Sequence, residues 1–238
     1  MVESEICERR AGSGLLIHPD YEGRVTVDWF DPDYWGAQAQ PVSSGGRGAA
    51  WFIDADGSRL VLREYRRGGL VARLSERAYF YTREQDVRSF SEFRLLNQLH
   101  HMGLPVPKAV AAWYRKVSPV QYQAAIIIER LDETVPLAEL ITQLQPDDWY
   151  SLGQTIRRFH DAGVRHADLN CFNVLVKGSL FYLIDFDKGQ IRPSGSPSNW
   201  KNANLERFAR SLRKVAGEAA QQKVWDAFMN GYNGSQSA

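Results

Sequence analysis

The spacing of hydrophobic residues along the chain predicts several strands. RLVLREY, residues 59–65, alternates in polarity and puts Leu60 and Leu62 on one face, as expected for a half-buried strand. VAAWYRK and YQAAIIIERL predict two more strands, and the β-branched run at residues 126–128 is typical of a buried one. SLFYLIDFDKG then predicts a short strand that ends in acidic residues.

Helical spacing governs three other segments. Apolar residues recur every three or four positions between Ser89 and Met102, and Gly103 stands where that helix would end. Residues 146–163 predict a second helix, which begins with a proline and two aspartates and ends at Gly163. A third helical pattern lies near the C-terminus. The apolar positions of the three helices are Phe90, Phe93, Leu96 and Leu99; Trp149, Leu152, Ile156 and Phe159; and Leu205, Phe208, Leu212 and Val215.

The order of these elements predicts an α+β chain with two lobes. Strands and one helix come first, and helices predominate afterwards. We place the boundary near Leu131 and Asp132, which gives a sheet-rich N-terminal lobe at residues 1–131 and a mostly helical C-terminal lobe at residues 132–238. The first forty residues are mixed in pattern and rich in aromatic side chains.

Composition and charge narrow the class of protein. Hydrophobic residues make up 44% of the 238 positions, which excludes a disordered chain, and the net charge of +1 gives no general attraction to nucleic acid. The charge is uneven, because residues 59–94 contain nine arginines and five acids. This excess of four positive charges fits contact with an anionic surface, but a solvated arginine face is the blander alternative and the one that the charge pattern alone favours.

Several sequence features bear on the compartment. Cys7 and Cys171 show neither metal-site spacing nor a disulfide framework, which favours a reducing environment. The N-terminus has no apolar core typical of a signal peptide, and no apolar run is long enough to span a bilayer. We therefore expect a cytoplasmic protein that meets a membrane only from the side. The aromatic residues 79–81 are candidates to face lipid headgroups, with core packing expected for at least one ring.

A glycine-rich turn is the first feature that fits phosphoryl transfer. Gly45, Gly46 and Gly48 precede the predicted strand AAWFI, and such a turn lets backbone N–H groups approach phosphate closely. A plain hairpin turn produces the same pattern. The chain has no G-x-x-x-x-G-K-[ST] motif, so a Walker-type phosphate loop is excluded.

Arg63, on the strand after AAWFI, is a candidate cation for the phosphates of a nucleotide, although an arginine at a sheet edge can also simply face solvent. Glu92, on the following helix, is our candidate to hold Arg63 in place. Glu84 competes for the same role, and the sequence does not decide between them.

The segment HADLNCFNVLV carries the strongest chemical signal. Asp168 can orient a hydroxyl nucleophile and accept its proton, and Asn173 offers a neutral oxygen to Mg²⁺. Asp185 follows at the end of an apolar strand and is the natural chelating carboxylate. We expect the three side chains to converge in a cleft between the lobes. His166 is interpreted as a structural residue, while Asp187 fits a second metal-side acid and a loop cap equally well.

These motifs resemble the protein-kinase-like superfamily. His166, Asp168 and Asn173 match its H-x-D-x-x-x-x-N pattern, and residues 185–187 occupy the D-F-G position. GGRGAAWF resembles the glycine-rich loop, and LVLR resembles the strand that normally supplies a lysine. A narrower resemblance, over about residues 45–214, is to 3-deoxy-D-manno-octulosonic acid (Kdo) kinase. LREYRRGGLVARL, HADLNCFNVLV, YLIDFDKG and WKNANLERFARSLRK carry it.

The resemblance implies a bilobal protein-kinase-like fold and a specific reaction. The family uses ATP and Mg²⁺ to phosphorylate the 4-hydroxyl of Kdo on a Kdo–lipid A precursor, in lipopolysaccharide inner-core synthesis at the cytoplasmic face of the inner membrane. By this resemblance Asp168 is the catalytic base, and Asn173 and Asp185 are the metal ligands. Candidates to contact the lipid headgroup are Arg66, Arg67, Arg73 and Arg77.

Two alternatives remain open from the sequence. One is a related kinase for another acceptor, namely a core heptose, an aminoglycoside or a protein, although the short segment after Gly189 argues against a peptide. The other is a pseudokinase scaffold, favoured only by Arg63 standing in place of lysine. The sequence gives no indication of the oligomeric state.

Overall fold

A computed structural model describes residues 5–42, 50–65, 78–193, 195 and 197–234. The chain divides into two compact units, Met1–His101 with Pro107–Arg130, and Met102–Val106 with Leu131–Ala238. The division differs from the sequence-based boundary because Met102–Val106 belongs to the second unit. Two hydrogen bonds explain this assignment, since Arg158 Nη2 donates to Gly103 O at 2.9 Å and the Leu183 N–H donates to Pro105 O at 3.0 Å.

The first unit is built on an antiparallel sheet. Within the described residues its strands are β1 (Ile6–Arg10), β2 (Ser13–Ile17), β3 (Ala39–Pro41), β4 (Ala50–Ala55), β5 (Ser58–Glu64), β6 (Tyr79–Phe80), β7 (Ala109–Ser118) and β8 (Gln121–Glu129). Their order is β1-β2-β7-β8-β5-β4-β3, with β6 also paired to β8. The unit's helices are the short α1 (Pro32–Trp35) and the longer α2 (Arg88–His101).

Strands β5 and β8 are neighbours in the middle of this sheet, and both carry buried apolar residues. Leu60 and Leu62 are fully buried, while Arg63 on the same strand is half-buried. Ile127 pairs opposite Leu62, and Ile126 pairs opposite Arg63. The β-branched run predicted as a buried strand therefore lies beside the strand that carries Arg63.

The first forty residues form more regular structure than their sequence suggested. They supply β1 to β3 and pack Trp29, Phe30 and Trp35 into the same core as Leu60 and Leu62. The Trp35 indole Nε1 donates to the carbonyl of Trp29 at 2.9 Å, which gives its polar atom a partner inside the core.

Helices and short strands make up the second unit. In chain order they are β9 (Val135–Pro136), α3 (Leu137–Leu140), α4 (Pro146–Asp161), β10 (Val164–Arg165), β11 (Val174–Lys177), β12 (Leu180–Leu183), β13 (Gln190–Ile191), α5 (Asn199–Ala216) and α6 (Glu218–Asn233). Strand β11 lies between β12 and β9, and β10 pairs with β13. The predicted apolar stripe of α4 is buried, whereas Val215 at the end of the α5 stripe is exposed.

Helices α4 and α6 approach each other through glycine. A Cβ added to Gly153 would lie 2.0 Å from Phe228 O, and one added to Gly231 would lie 1.9 Å from Tyr150 O. No side chain fits at such separations, so the two backbones touch directly. This contact makes α6, which the sequence patterns did not predict, an integral part of the unit. No helix within the described segments is both long and apolar enough to cross a bilayer.

Candidate active site

The candidate catalytic loop runs from the end of β10 to the start of β11 and is organised by His166. The imidazole is buried, its Nε2 contacts Ile184 O at 2.9 Å, and its Nδ1 contacts the backbone N–H of Asp168 at 3.1 Å. A backbone N–H can only donate and a carbonyl can only accept, so these bonds fix the neutral tautomer with the proton on Nε2. Burial lowers the pKa of His166, which favours the same neutral form.

Asp168 carries a donor on each of its carboxylate oxygens. Arg207 Nη1 donates to Oδ1 at 3.0 Å, and Asn170 Nδ2 donates to Oδ2 at 3.2 Å. The Asp168 side chain is 58% exposed, so an acceptor hydroxyl can still reach it. A carboxylate that is oriented by two donors and open to solvent suits a group that aligns a nucleophile.

Asn170 ties the middle of the loop together. Its side-chain oxygen accepts the backbone N–H groups of Phe172 at 2.8 Å and Asn173 at 3.2 Å, while its amide nitrogen also donates to Asp168 O at 3.0 Å. Such local side-chain-to-backbone bonds form a tight turn without any regular secondary structure. Asn170 therefore fixes the separation between Asp168 and Asn173.

The hairpin of β11 and β12 brings Asn173 and Asp185 to the same end. Val174 pairs with Leu183, and one step further the Ile184 N–H donates to Asn173 O at 3.0 Å. Asp185 is the next residue and has a left-handed backbone with φ of 62°. A non-glycine residue in this region is uncommon and is often found at functional sites. His166 contacts the same Ile184, so all three candidate residues belong to one connected loop system.

Phe186 anchors the segment that follows Asp185. Its ring is buried and lies 4.7 Å from the ring of His166 and 6.0 Å from that of Phe159, on α4. The Gly189 N–H then donates to Phe186 O at 2.7 Å and closes a turn that contains Asp187. The apolar ring therefore holds the acidic segment against α4.

One polar stripe of α5 holds the loop along its length. Asn204 accepts the His166 N–H at 3.2 Å and donates to His166 O at 2.9 Å. Arg207, one turn further, contacts Asp168, and the Ser211 hydroxyl accepts the Cys171 N–H at 2.9 Å. Residues three and seven positions apart share a helix face, which explains why one helix meets three points of the loop.

Cys171 is packed as a structural residue. It is fully buried, and the Ser211 hydroxyl donates to its sulfur at 2.9 Å. Burial raises the pKa of this thiol, so the unreactive protonated form is favoured. The geometry offers no role for Cys171 as a nucleophile.

In the first unit Arg63 forms an ion pair with Glu92. Arg63 Nη2 lies 2.5 Å from Glu92 Oε2, and the Tyr65 hydroxyl donates to the same oxygen. Glu92 is only 3% exposed, and a buried carboxylate needs such partners to remain charged. The Arg63 guanidinium also lies 4.9 Å from the centre of the Tyr65 ring. Its side chain is 23% exposed.

Glu84, the other glutamate considered for this role, has different partners. Arg9 Nη2 donates to its carboxylate at 2.8 Å, and the Tyr114 hydroxyl donates to it at 3.2 Å. The hydrogen bond from Arg9 lowers the pKa of Glu84. The structure thus pairs Glu92, and not Glu84, with Arg63.

Some of the residues singled out from the sequence lie outside the part of the chain that the structure describes. They are Gly45, Gly46, Gly48, Arg66, Arg67, Arg73 and Arg77. In the aromatic cluster at residues 79–81, Tyr79 is buried, as expected for at least one ring, and Phe80 is 68% exposed.

The sequence analysis missed Asn170, Asn204, Arg207 and Ser211 as site residues. A signal for the last three was present, because they recur at intervals of three and four residues. They also lie one position before the apolar residues Leu205, Phe208 and Leu212 of the same helix. What the pattern did not reveal was their partner, a loop about 40 residues earlier in the chain.

Comparisons with known proteins identify the family of this chain. The family model described as "Lipopolysaccharide kinase (Kdo/WaaP) family" matches residues 32–232. The 3-deoxy-D-manno-octulosonic acid kinase of Xylella fastidiosa (strain M12) is 42% identical over 224 residues, covering 93% of this chain and 89% of that protein. The protein of the same name from Stenotrophomonas maltophilia (strain K279a) is 41% identical over 221 residues, covering 92% and 88%.

Similarity to a solved structure supports the fold. The structure titled "WaaP in complex with acyl carrier protein" matches with a TM-score of 0.57 at 19% identity, covering 92% of this chain and 88% of that one. The sheet-rich first unit and the mostly helical second unit confirm the predicted α+β, protein-kinase-like fold. From the family match and these identities together, the chain belongs to the lipopolysaccharide kinase (Kdo/WaaP) family.

Proposed function

We propose that this protein transfers the γ-phosphoryl group of ATP to a hydroxyl of the Kdo sugar on a Kdo–lipid A precursor, as a step of lipopolysaccharide core synthesis. The resemblance seen in the sequence implies the 4-hydroxyl. The observation that carries the proposal is the His166 bridge, which ties the Asp168 backbone to the strand end that precedes Asp185, in a chain about 40% identical to Kdo kinases.

Each site residue has a role in this proposal. Asp168 orients the acceptor hydroxyl and takes its proton as the new phosphate ester forms. Arg63, held by Glu92 and Tyr65, binds phosphate oxygens of the nucleotide with its guanidinium. The glycines at positions 45, 46 and 48 are proposed to contact the same phosphates through their backbone N–H groups.

Asn173 and Asp185 fit a magnesium ion by the chemistry of their donor atoms. The Asn173 amide nitrogen donates to Asp168 O at 2.9 Å, so its side-chain oxygen is the atom that can act as a ligand. A bound Mg²⁺ would neutralise charge on the phosphates, and it ordinarily takes only one or two protein oxygens besides phosphates and water. Among the described residues no three His, Cys, Asp or Glu side chains cluster as a metal site, so an Asn–Asp pair with nucleotide phosphates is the donor set we propose.

The acceptor is a lipid, so the proposal includes peripheral contact with the inner membrane. Phe80, Val117 and Val120 are 68%, 45% and 56% exposed and lie together where β6 meets the β7–β8 turn. The Tyr81 N–H donates to Val120 O at 2.9 Å, which joins the two segments. Arg115 and Lys116 adjoin these apolar residues and complement anionic headgroups. We propose that this apolar tip inserts among lipid headgroups.

A direct assay tests the function. The purified protein is incubated with ATP, Mg²⁺ and a Kdo–lipid A precursor, and the lipid is analysed by mass spectrometry. We expect one added phosphate, localised to the Kdo residue by fragmentation. Phosphate on another sugar, or transfer only to a heptose or aminoglycoside offered in parallel, would refute the assignment of the acceptor.

A further inference from the structure

We infer that Arg207 forms an acceptor-side anion site, which binds the carboxylate of the sugar acid while Asp168 engages the hydroxyl to be phosphorylated. This inference rests on the proposed function, and it adds a residue that the motifs of the catalytic loop do not contain. Its starting point is the contact of 3.0 Å between Arg207 Nη1 and Asp168 Oδ1.

The Arg207 side chain has both the exposure and the donor capacity for a second partner. It is 47% exposed, and a guanidinium carries five N–H donors in a planar fork that matches a carboxylate. A monodentate contact with Asp168 uses only part of this capacity. Any acceptor whose hydroxyl reaches Asp168 must approach within a few ångströms of the remaining donors, since the two side chains already touch.

Asp168 does not depend on Arg207 alone for its orientation. Asn170 donates to its other carboxylate oxygen, and the His166 Nδ1 accepts the Asp168 backbone N–H. When Arg207 turns part of its guanidinium towards a substrate, the base therefore keeps two constraints. This arrangement allows one cation to serve the base and the acceptor together.

Charge explains why a kinase for a sugar acid needs such a cation. The nucleotide and the acceptor are both anionic, and Asp168 adds a further negative charge at the point where they meet. The metal ligands proposed for this site belong to the nucleotide side. Arg207 is a cation beside Asp168 and lies on α5 one turn from Asn204, which bonds the backbone of His166. It offsets the repulsion between the anionic acceptor and Asp168.

The test combines a change in the enzyme with a matching change in the acceptor. Initial rates are measured at saturating ATP with the natural Kdo acceptor and with an analogue whose carboxylate is converted to a neutral amide. With the wild-type protein the neutral analogue should raise the acceptor KM by roughly 10- to 100-fold, the range of a charge-assisted hydrogen bond. With Arg207→Gln the two acceptors should differ by less than about threefold, because the partner of the carboxylate is gone.

The controls separate this inference from weaker explanations. Arg207→Lys should restore part of the preference for the acid, whereas Arg210→Gln, which removes an exposed arginine paired with Glu206 on the same helix, should leave it intact. If Arg207→Gln slows both acceptors equally, Arg207 only positions Asp168 and the carboxylate site is refuted. If the wild-type protein phosphorylates no Kdo acceptor at all, the proposed function itself fails, which is a different result from an unchanged preference.

Discussion

His166 accepts a hydrogen bond from the backbone N–H of Asp168 through its Nδ1, at 3.1 Å. The histidine of the loop motif is therefore committed to shaping the backbone that presents the candidate base. Its other nitrogen donates to Ile184, so a single buried ring connects the loop of Asp168 with the strand end of Asp185. In the proposed function the chemistry at this site is therefore assigned to Asp168 and its neighbours.

Replacing Asp168 should separate catalysis from nucleotide binding. We expect Asp168→Ala to lower kcat on the order of 10²- to 10⁴-fold, because the acceptor hydroxyl loses its oriented base. Stabilisation by Mg²⁺–ATP in a thermal shift assay should persist, at about 2.7 kcal/mol for a nucleotide at a hundred times its Kd. Asp226→Ala, at an exposed aspartate of α6, serves as the control. Turnover of Asp168→Ala near the wild-type level would contradict the assigned role.

Replacing Asn204, whose side chain bonds the backbone N–H and carbonyl of His166, should weaken the fold. Asn204→Ala leaves the buried N–H and carbonyl of His166 without partners, so the free energy of unfolding should fall by about 2–4 kcal/mol in urea denaturation. Asn202→Ala, at an exposed position of the same helix, should change it by less than about 0.5 kcal/mol. Equal stability of the two variants would mean that the two hydrogen bonds between Asn204 and His166 contribute little to the free energy of unfolding.

Glu92 and Glu84, both in the first unit, offer a matched comparison. Glu92→Gln removes the buried negative charge that holds Arg63, and we expect the KM for ATP to rise about tenfold or more. Glu84→Gln breaks a contact with the largely exposed Arg9 and should alter stability by no more than about 1 kcal/mol, with the KM for ATP unchanged. A larger effect of Glu84→Gln on the KM for ATP would reverse the assignment.

Stability should decrease in mild acid because of buried histidine. Burial lowers the pKa of His160 to about 4, from 6.5, and its Nδ1 contacts the Tyr232 hydroxyl at 2.8 Å. The unfolded chain protonates this histidine near pH 6.5, whereas the folded protein does so only near pH 4. The contribution of His160 to stability is therefore fully present above pH 6.5 and is lost as the pH falls towards 4. Between pH 7 and pH 5 this single group should remove roughly 2 kcal/mol.

Urea denaturation at the two pH values measures this effect. In His160→Gln, the decrease in the free energy of unfolding between pH 7 and pH 5 should be smaller than in the wild type by roughly 2 kcal/mol. His100→Gln, at an exposed histidine of α2, should leave the loss as it is in the wild type. If His160→Gln loses as much stability as the wild type, another group causes the acid sensitivity. His166 contributes in the same direction, since burial also lowers its pKa.

Membrane contact is testable by replacing the exposed apolar tip. The double change Phe80→Ser and Val120→Ser should reduce co-sedimentation with vesicles containing anionic phospholipid by about tenfold, because two exposed apolar side chains are no longer available to insert among the headgroups. Leu180→Ser, a residue of β12 that is 57% exposed, removes a comparable apolar group from the second unit and should leave binding unchanged. Equal losses in both variants would point to nonspecific hydrophobic adsorption.

The sequence was sufficient where local pattern decides the structure. The alternation of Leu60 and Leu62 and the helical stripe around Trp149 both predicted burial that the structure has. The choice between Glu84 and Glu92 was out of reach, because it depends on Arg9, a residue of β1 whose strand was not predicted. The role of the polar stripe of α5 was missed for a similar reason, since its partners lie on a distant loop and a local periodicity does not show which loop a helix face contacts.

The glycine contact between α4 and α6 has a practical consequence for work with this protein. The carbonyl of Phe228 lies where the two backbones meet, and the centre of its ring is 5.3 Å from the centre of the Phe208 ring of α5. A truncation that removes α6 would expose apolar surface of α4 and α5, the helices that pack against the candidate catalytic loop. Aggregation of the shortened protein would then result from this exposed surface and would give no information about its catalytic activity. Affinity tags and fusion partners at this end of the chain therefore belong beyond Gly234.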